Sequence, residues 1–394
     1  MQALPPIEQL RADTPSCQEK IHLNNAGAAL MPQVVFDTMR DFLEFEYQVG
    51  GYEAMALTAD KSEHFYQSMA TLLHAKAHQI AYSNNATDAY NKALSSIPFK
   101  DGDVIVTSDD DYVANQLAFL HLQKYRGVQI IRAAKLASGG VDVNAVEALL
   151  KKHRPKLVAI THVPTNSGLV QEVEAIGDLC AAHDIWYLVD ACQSVGQMPV
   201  DVNKIKCDFL SGTSRKFLRG PRGAGFLYVS QKAIDAGLEP VFPDLRGSDW
   251  VAANAYQLHP NARRYEIWER NYGIKYGFAA AVDYALALGM EAVEQRIQTL
   301  ANYTREKIQG NTILKCLDKG KKRCGITSYY AANADVNALT VAMANANINV
   351  SVAQPINALI DMQEKGAAWA LRIAPHYYNT KEEIDQVVAV LKNL

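Results

Sequence analysis

The 394-residue chain carries 39 Lys and Arg against 42 Asp and Glu, a formal net charge of -3. It has no general attraction for nucleic acid or an anionic membrane surface, so any basic cluster must act locally. No window approaches the roughly 18 uninterrupted apolar residues of a membrane span, and the opening MQALPPIEQLRAD lacks the layout of a secretory signal, so a cytoplasmic protein is expected. The six cysteines form no CxxC pair and sit mostly inside apolar stretches, as reduced, largely structural thiols do.

From about Lys76 to Ser230 short apolar runs alternate with helical patterns, the layout of βα units on a mainly parallel sheet. QIAYS, DVIVTS, VQIIRA, KLVAITH, IWYLVD and CDFLSG are the candidate strands, too apolar throughout to leave one face in water. Between them VNAVEALLKKH and VEAIGDLCAAHD carry apolar residues at helical spacing. AGFLYVS follows a glycine turn too closely for a crossover helix, so it is expected as an antiparallel neighbour. Beyond about Pro260 the texture changes to long helical segments, then GITSYYA, a helix-like DVNALTVAMANA and a closing TKEEIDQVVAVLKNL. The expected fold class is α/β: a large domain over residues 20–255 and a smaller α+β domain over 256–394, with residues 1–19 packed on the latter.

Ligands of open α/β sheets bind at the C-terminal ends of the strands. Asp190 ends IWYLVD, where an unpaired buried carboxylate would be costly and a cationic partner is needed; capping of the following turn is the plainer reading, and Gln193 by itself is an ordinary loop amide. Lys216 follows the next strand, in GTSRK, where Thr213, Ser214 and Arg215 are suited to holding phosphate oxygens. In AYSNNATDAYN, Asn84, Asn85, Ala86 and Thr87 lead from strand to helix, which fits either an anion site or a helix cap. VTSDDDYVANQ brings Tyr112 to the same rim as a face for a flat ring, and its three aspartates, with no histidine nearby, read as solvated or capping charge rather than a metal site. A lysine for a Schiff base, a carboxylate for a pyridine nitrogen, an anion cradle and a flat cover together are what pyridoxal 5'-phosphate requires.

Five motifs in order then resemble the class V aminotransferase group of fold-type I pyridoxal-phosphate enzymes, which includes cysteine desulfurases and selenocysteine lyases: HLNNAGAALMP, NNATDAYN, VDACQSVG, SRKFLRGPRGAGFLYV and LRIAPHYYNTKEEID. The resemblance implies that Lys216 forms the Schiff base and shuttles the α-proton, that Asp190 pairs with the pyridine nitrogen, and that Gln193 approaches the ring hydroxyl. It implies phosphate binding by Ala86, Thr87 and Thr213, a cofactor contact from Arg215, and a homodimer. Arg372, by itself an ordinary surface charge, would clamp the substrate carboxylate, with Asn25 also binding substrate; Thr165 or Asn166 would take the ring-facing role in HVPTNSGLV.

The departures bear on function. Arg215 and Tyr112 stand where the desulfurases commonly have histidine, and in NVSVAQPI the position of one branch's persulfide-carrying cysteine falls on Val352. No cysteine occurs from Gln354 to Gly366, where the other branch would place its own. ARRYEIWERNY, TSRKFLRGPRG and PHYYNT are closest in pattern to ergothioneine-pathway carbon-sulfur lyases and isopenicillin N epimerase-like proteins. The expectation is a lyase cleaving a carbon-sulfur bond of a cysteine-derived amino acid by β-elimination, giving pyruvate and ammonia. The alternatives are a persulfide-forming desulfurase or selenocysteine lyase, and a class V aminotransferase or epimerase. A cofactor-binding DNA regulator is not expected, because the first twenty residues are too short for a DNA-binding module.

Overall fold

The computed structural model describes residues 3–392. The apolar runs form the strands of one seven-stranded sheet: β1 (Ile80–Ser83), β2 (Val104–Thr107), β3 (Gln129–Arg132), β4 (Leu157–Thr161), β5 (Trp186–Asp190), β6 (Phe209–Thr213) and β7 (Gly225–Val229). Their order is β1-β7-β6-β5-β4-β2-β3, parallel except for β7, which runs antiparallel to both neighbours as the short glycine turn requires. Side chains alternate between faces. Val106, Val158, Val189 and Leu210 enter one core, and Ile105, Leu157, Leu188 and Phe209 enter the other. The strand β3 departs from the expectation of full burial: it is the sheet edge, and Gln129 and Arg132 are exposed.

The segments read as helical, Val143–His153 and Val173–Ala182, lie between the strands, and β5 and β6 end side by side. Beyond Pro260 two helices, Tyr272–Leu288 and Met290–Asn311, meet at Gly289, whose φ of 81° ends the first. Beside them lies an antiparallel sheet in the order Lys315–Cys316, Thr327–Tyr330, Ala370–Ile373, Ser351–Ala353. A third core joins Tyr329, Leu371 and Ile373 of that sheet to Val387 and Leu391 of the closing helix. The last two residues of the closing motif, like Met1 and Gln2, lie outside the described residues. At the other end of the chain Arg11 pairs with Glu383 at 2.8 Å, and Ile21–His22 runs parallel to Ile348–Asn349. Among the described residues no helix is long and apolar enough to cross a membrane.

The segment ARRYEIWERNY is built around a buried charge cluster. Glu266 accepts hydrogen bonds from the Tyr66 hydroxyl at 2.8 Å and the Tyr82 N-H at 2.9 Å, and pairs with Arg270. Nearby, the fully buried Lys275 donates to Ser62 and Tyr66, and burial lowers its pKa to about 7.

Arg219, three residues beyond Lys216, is almost wholly buried and has a left-handed φ of 59°. Its guanidinium donates to the Leu30 carbonyl (2.8 Å), the Tyr377 hydroxyl (2.7 Å) and the Thr14 hydroxyl (2.6 Å), and lies 4.5 Å from the Tyr378 ring centroid. One side chain thus ties the N-terminal segment and the C-terminal PHYYNT motif to the loop that carries Lys216. Removing a charged donor leaves these buried acceptors without partners, a cost of about 3 kcal/mol. Arg219→Met is therefore expected to lower the urea midpoint sharply, measured by circular dichroism; a midpoint equal to that of the parent would refute this tying role.

Candidate active site

Asp190 closes β5 with its carboxylate buried. One oxygen accepts the Asn115 amide at 3.1 Å and the other the Cys192 N-H at 2.9 Å, and among the described residues no basic side chain forms an ion pair with it. Asn115 is oriented by Asp111 at 2.9 Å, which also accepts from Thr161, Gln116 and the Tyr112 N-H. Burial raises the Asp111 pKa, and the hydrogen bonds from Thr161, Asn115 and Gln116 oppose that rise.

The aspartate run, expected as solvated or capping charge, is for the most part buried, and Asp111 accepts the Tyr112 N-H where the next helix begins. Asp110 and Asp111 are buried, and no group of metal-ligating residues occurs among the described residues. Asp109 lies 3.1 Å from Lys135. Asp110 faces Asp361 and lies 3.6 Å from Lys319, which also pairs with Asp361 (2.8 Å) and Glu364 (2.9 Å).

Lys216 stands in the turn after β6 at the junction of two adjoining cavities, both of which it lines together with Tyr112, Thr165 and Arg215. Burial lowers its pKa; the nearby Cys192 and Asp190 oppose this, while Arg215 and Arg372 add to it. The first cavity is also lined by Asn85, Ala86, Thr87, Asn115, Asp190 and Gln193. Thr213 lines it too while its hydroxyl donates to the Ala224 carbonyl at 3.3 Å. Ser214 does not take part as expected: its buried hydroxyl turns inward to the Pro221 and Ala224 carbonyls.

At the first cavity's far wall the helix Ala86–Ser96 begins. Asn85 caps it by accepting the Asp88 N-H at 2.9 Å, which leaves the first-turn N-H groups of Ala86 and Thr87 without intrahelical acceptors, the arrangement that binds phosphate. Capping and anion binding are thus compatible here. This wall sits directly on β7: a Cβ on Gly225 would lie 2.6 Å from the Asn85 carbonyl carbon and 2.8 Å from the Ala86 nitrogen.

The second cavity is lined by Ala26, Gly27, Asn166, Ser351, Val352, Asn357 and Arg372 as well as the shared residues. Arg372 is buried rather than a surface charge. It donates to the Thr165 hydroxyl at 2.8 Å and lies 3.4 Å from Asn24, and it has no carboxylate partner among the described residues. Burial and the like charge of Arg215 lower its pKa to about 10. Thr165 and Asn166, between which the sequence leaves the ring-facing role open, are placed differently. Thr165 lies in both cavities beside Gln193 (3.4 Å), whereas Asn166 lines only the second. Asn25 does not face substrate as expected. It is fully buried, its amide donating to the Ala374 carbonyl at 2.7 Å and its oxygen accepting from Tyr378, while the neighbouring Asn24 reaches Arg372.

Several lining residues escaped the sequence reading. Asn115 sits one helical turn beyond Asp111, a spacing that could have marked it. Cys192, taken as structural, lines the first cavity, where burial and then Asp190 hold its pKa well above the ordinary thiol value. The buried Gln193 Oε1, both amide atoms of Asn166 and Arg372 Nε have no hydrogen-bond partner among the described residues. With a buried carboxylate lacking a cation, a lysine and an anion cradle, these groups fit pyridoxal 5'-phosphate and an amino-acid carboxylate.

The fold and site define a pyridoxal-phosphate enzyme of the α/β class. Residues 21–387 match the model of the Aminotransferase class-V family, and the chain belongs to that family. It is 28% identical to a probable cysteine desulfurase of Pyrococcus abyssi, over 98% of this chain and 97% of the relative. It superposes on the apo structure of the cysteine desulfurase from Thermococcus onnurineus NA1 with a TM-score of 0.91 and 25% identity, covering 100% of this chain and 98% of the other. The fold is also similar to that of the cystine C-S lyase C-DES, solved with its product cysteine persulfide (TM-score 0.84, 19% identity, 97% and 99% coverage).

Gly225→Ala is expected to displace the helix start from its place over β7. Titrating the apoprotein with pyridoxal phosphate at its visible absorbance should show affinity reduced roughly tenfold or more; unchanged affinity would remove this helix start from the cofactor site. A second expectation concerns pH. Burial and the like charge of Asp361 raise the Asp110 pKa from 3.8 to about 6, against Lys319. A carboxyl raised in the folded state costs stability as pH climbs through that value and costs nothing below the unfolded value. Asp110→Asn should therefore melt a few degrees above the parent near about pH 8, with the gap closing by about pH 4. Calorimetry showing an equal gap at both would mean that Asp110 has no raised pKa.

Proposed function

We propose that the chain is a carbon-sulfur lyase that eliminates a sulfur leaving group from the β-carbon of a cysteine-derived amino acid, yielding pyruvate and ammonia. Bound here, pyridoxal phosphate supplies an electron sink that makes the substrate α-proton removable. Asp190, held by Asn115 and the Cys192 N-H, supplies the negative charge that keeps a pyridine nitrogen protonated. Lys216, whose pKa burial lowers, takes up the α-proton as a free amine. Arg372, steadied by Thr165, binds the substrate carboxylate. The sulfur leaves with its bonding pair, and the released enamine hydrolyses to pyruvate and ammonia.

The observation that carries this reading is the wall of the second cavity. Among its described lining residues none is a cysteine, and Val352 is one of them. Elimination needs no protein thiol. Cys192 is confined to the first cavity and stays protonated, a weak nucleophile, while Cys324 is buried and Cys316 lies on the first strand of the C-terminal sheet. The named relatives favour a second reading, persulfide formation with alanine as product. A homodimer is part of the proposal, supported by exposed apolar side chains such as Phe242, Leu245 and Trp250.

The deciding experiment gives the holoenzyme cysteine, cystine, selenocysteine and a cysteine sulfoxide and quantifies pyruvate against alanine. Pyruvate with equimolar ammonia is expected, and mass spectrometry should find no persulfide on the protein. Alanine with sulfane sulfur would establish the desulfurase instead, and inertness toward all four would point to transamination or epimerisation.

A further inference from the structure

The loop after β4 that carries Thr165 and Asn166 forms neither helix nor strand, and four successive carbonyls in it are met by the C-terminal part of the chain. Gly168 accepts the Cys324 N-H at 2.7 Å and Ser167 the Lys319 N-H at 2.8 Å. The other two have no backbone donor among the described residues: Thr165 accepts from Arg372 Nη1 at 3.3 Å and Asn166 from Lys365 Nζ at 3.0 Å. Arg372 Nη1 also meets the Thr165 hydroxyl, so Thr165 supplies two of the three hydrogen bonds that orient this guanidinium, the third being the longer contact to Asn24. The place of Thr165 therefore sets how the arginine fork faces the second cavity, and the next peptide is held by one ammonium group. The Lys365 side chain is almost wholly buried, pairs with Asp361 at 2.7 Å, and lines neither cavity.

We propose that Lys365 is a positioning residue for the substrate carboxylate. By holding the Asn166 carbonyl it fixes Thr165, and through Thr165 the angle at which Arg372 offers its two donors. This rests on Arg372 as the carboxylate site of the reading above and goes beyond it by assigning a residue outside both cavities. A bidentate contact tolerates little misplacement. Loss of Lys365 therefore weakens the grip on the carboxylate and leaves the anion cradle at Ala86 and Thr87, in the other cavity, as it was.

The test compares L-2-aminobutyrate with propylamine, which differ only in the α-carboxylate and carry no leaving group, so the comparison holds whether or not the protein is a lyase. Each is titrated into the holoenzyme at its visible absorbance. The parent should bind the amino acid roughly tenfold or more tightly than the amine, and Arg372→Gln should abolish that preference. Lys365→Met should cut it roughly threefold or more, and Lys365→Arg should restore most of it. Adding Lys365→Met to Arg372→Gln should cost nothing further, and the apoprotein's affinity for pyridoxal phosphate should stay unchanged in the Lys365 variants. Asp361 keeps Lys319 at 2.8 Å in these variants; Asp361→Asn, which unfastens the ammonium group, gives the same expected loss should Lys365→Met not fold. A preference that falls in Arg372→Gln but survives both Lys365→Met and Asp361→Asn would overturn the proposal and leave the carboxylate site standing, whereas a parent without any preference would overturn both. Equal weakening of the two ligands, or losses that add in the double variant, would make Lys365 a residue of stability alone.

Discussion

A carboxylate buried at the end of a parallel strand, with no ion-pair partner among the described residues, is the constraint from which the rest of this site follows. Asp190 would be expensive to bury alone, and the protein meets that cost with neutral donors rather than a lysine or arginine. Its negative charge therefore remains available to a bound cation. Keeping Asn115 in place requires Asp111, and burying Asp111 requires Thr161 and Gln116. Of the three consecutive aspartates, Asp111 thus supports the cofactor site, Asp110 meets the C-terminal part of the fold, and Asp109 pairs with Lys135.

That contact links the two cavities. Asp110 meets Lys319 and Asp361, Asp361 pairs with Lys365 at 2.7 Å, and Lys365 donates to the Asn166 carbonyl at 3.0 Å. Polar contacts therefore run from beside Tyr112 to the wall of the substrate chamber. Lys216 sits where the chambers join, on a loop fastened from behind by Arg219. In the proposed elimination a base has to reach both cofactor and substrate, and an amine at this junction faces both chambers.

The chemistry of the second chamber depends as much on what the side chains cannot do as on what they can. Val352 has no nucleophilic atom, and the Cys192 thiol, which lines the first cavity, has its pKa raised by burial and by Asp190. The two arginines, by contrast, are strong anion binders with few internal partners.

Sequence periodicity and apolar runs were sufficient for the strands, the antiparallel β7 and the placement of Asp190, Lys216, Thr87 and Tyr112 at strand ends, because these follow from local pattern and from the geometry of a parallel sheet. Resemblance supplied Arg372, which composition alone would have left on the surface. Which hydroxyls and amides face inward was decided only by tertiary packing: Ser214 and Asn25 turn to backbone carbonyls, while Asn24, Asn115 and Cys192 reach the cavities or their walls. Adjacent residues in a loop are chemically alike in sequence, and the direction of each side chain is set by long-range partners such as Ala374 and Tyr378 that no local pattern encodes. The same holds for the buried Asp110, whose partners come from the C-terminal part of the chain.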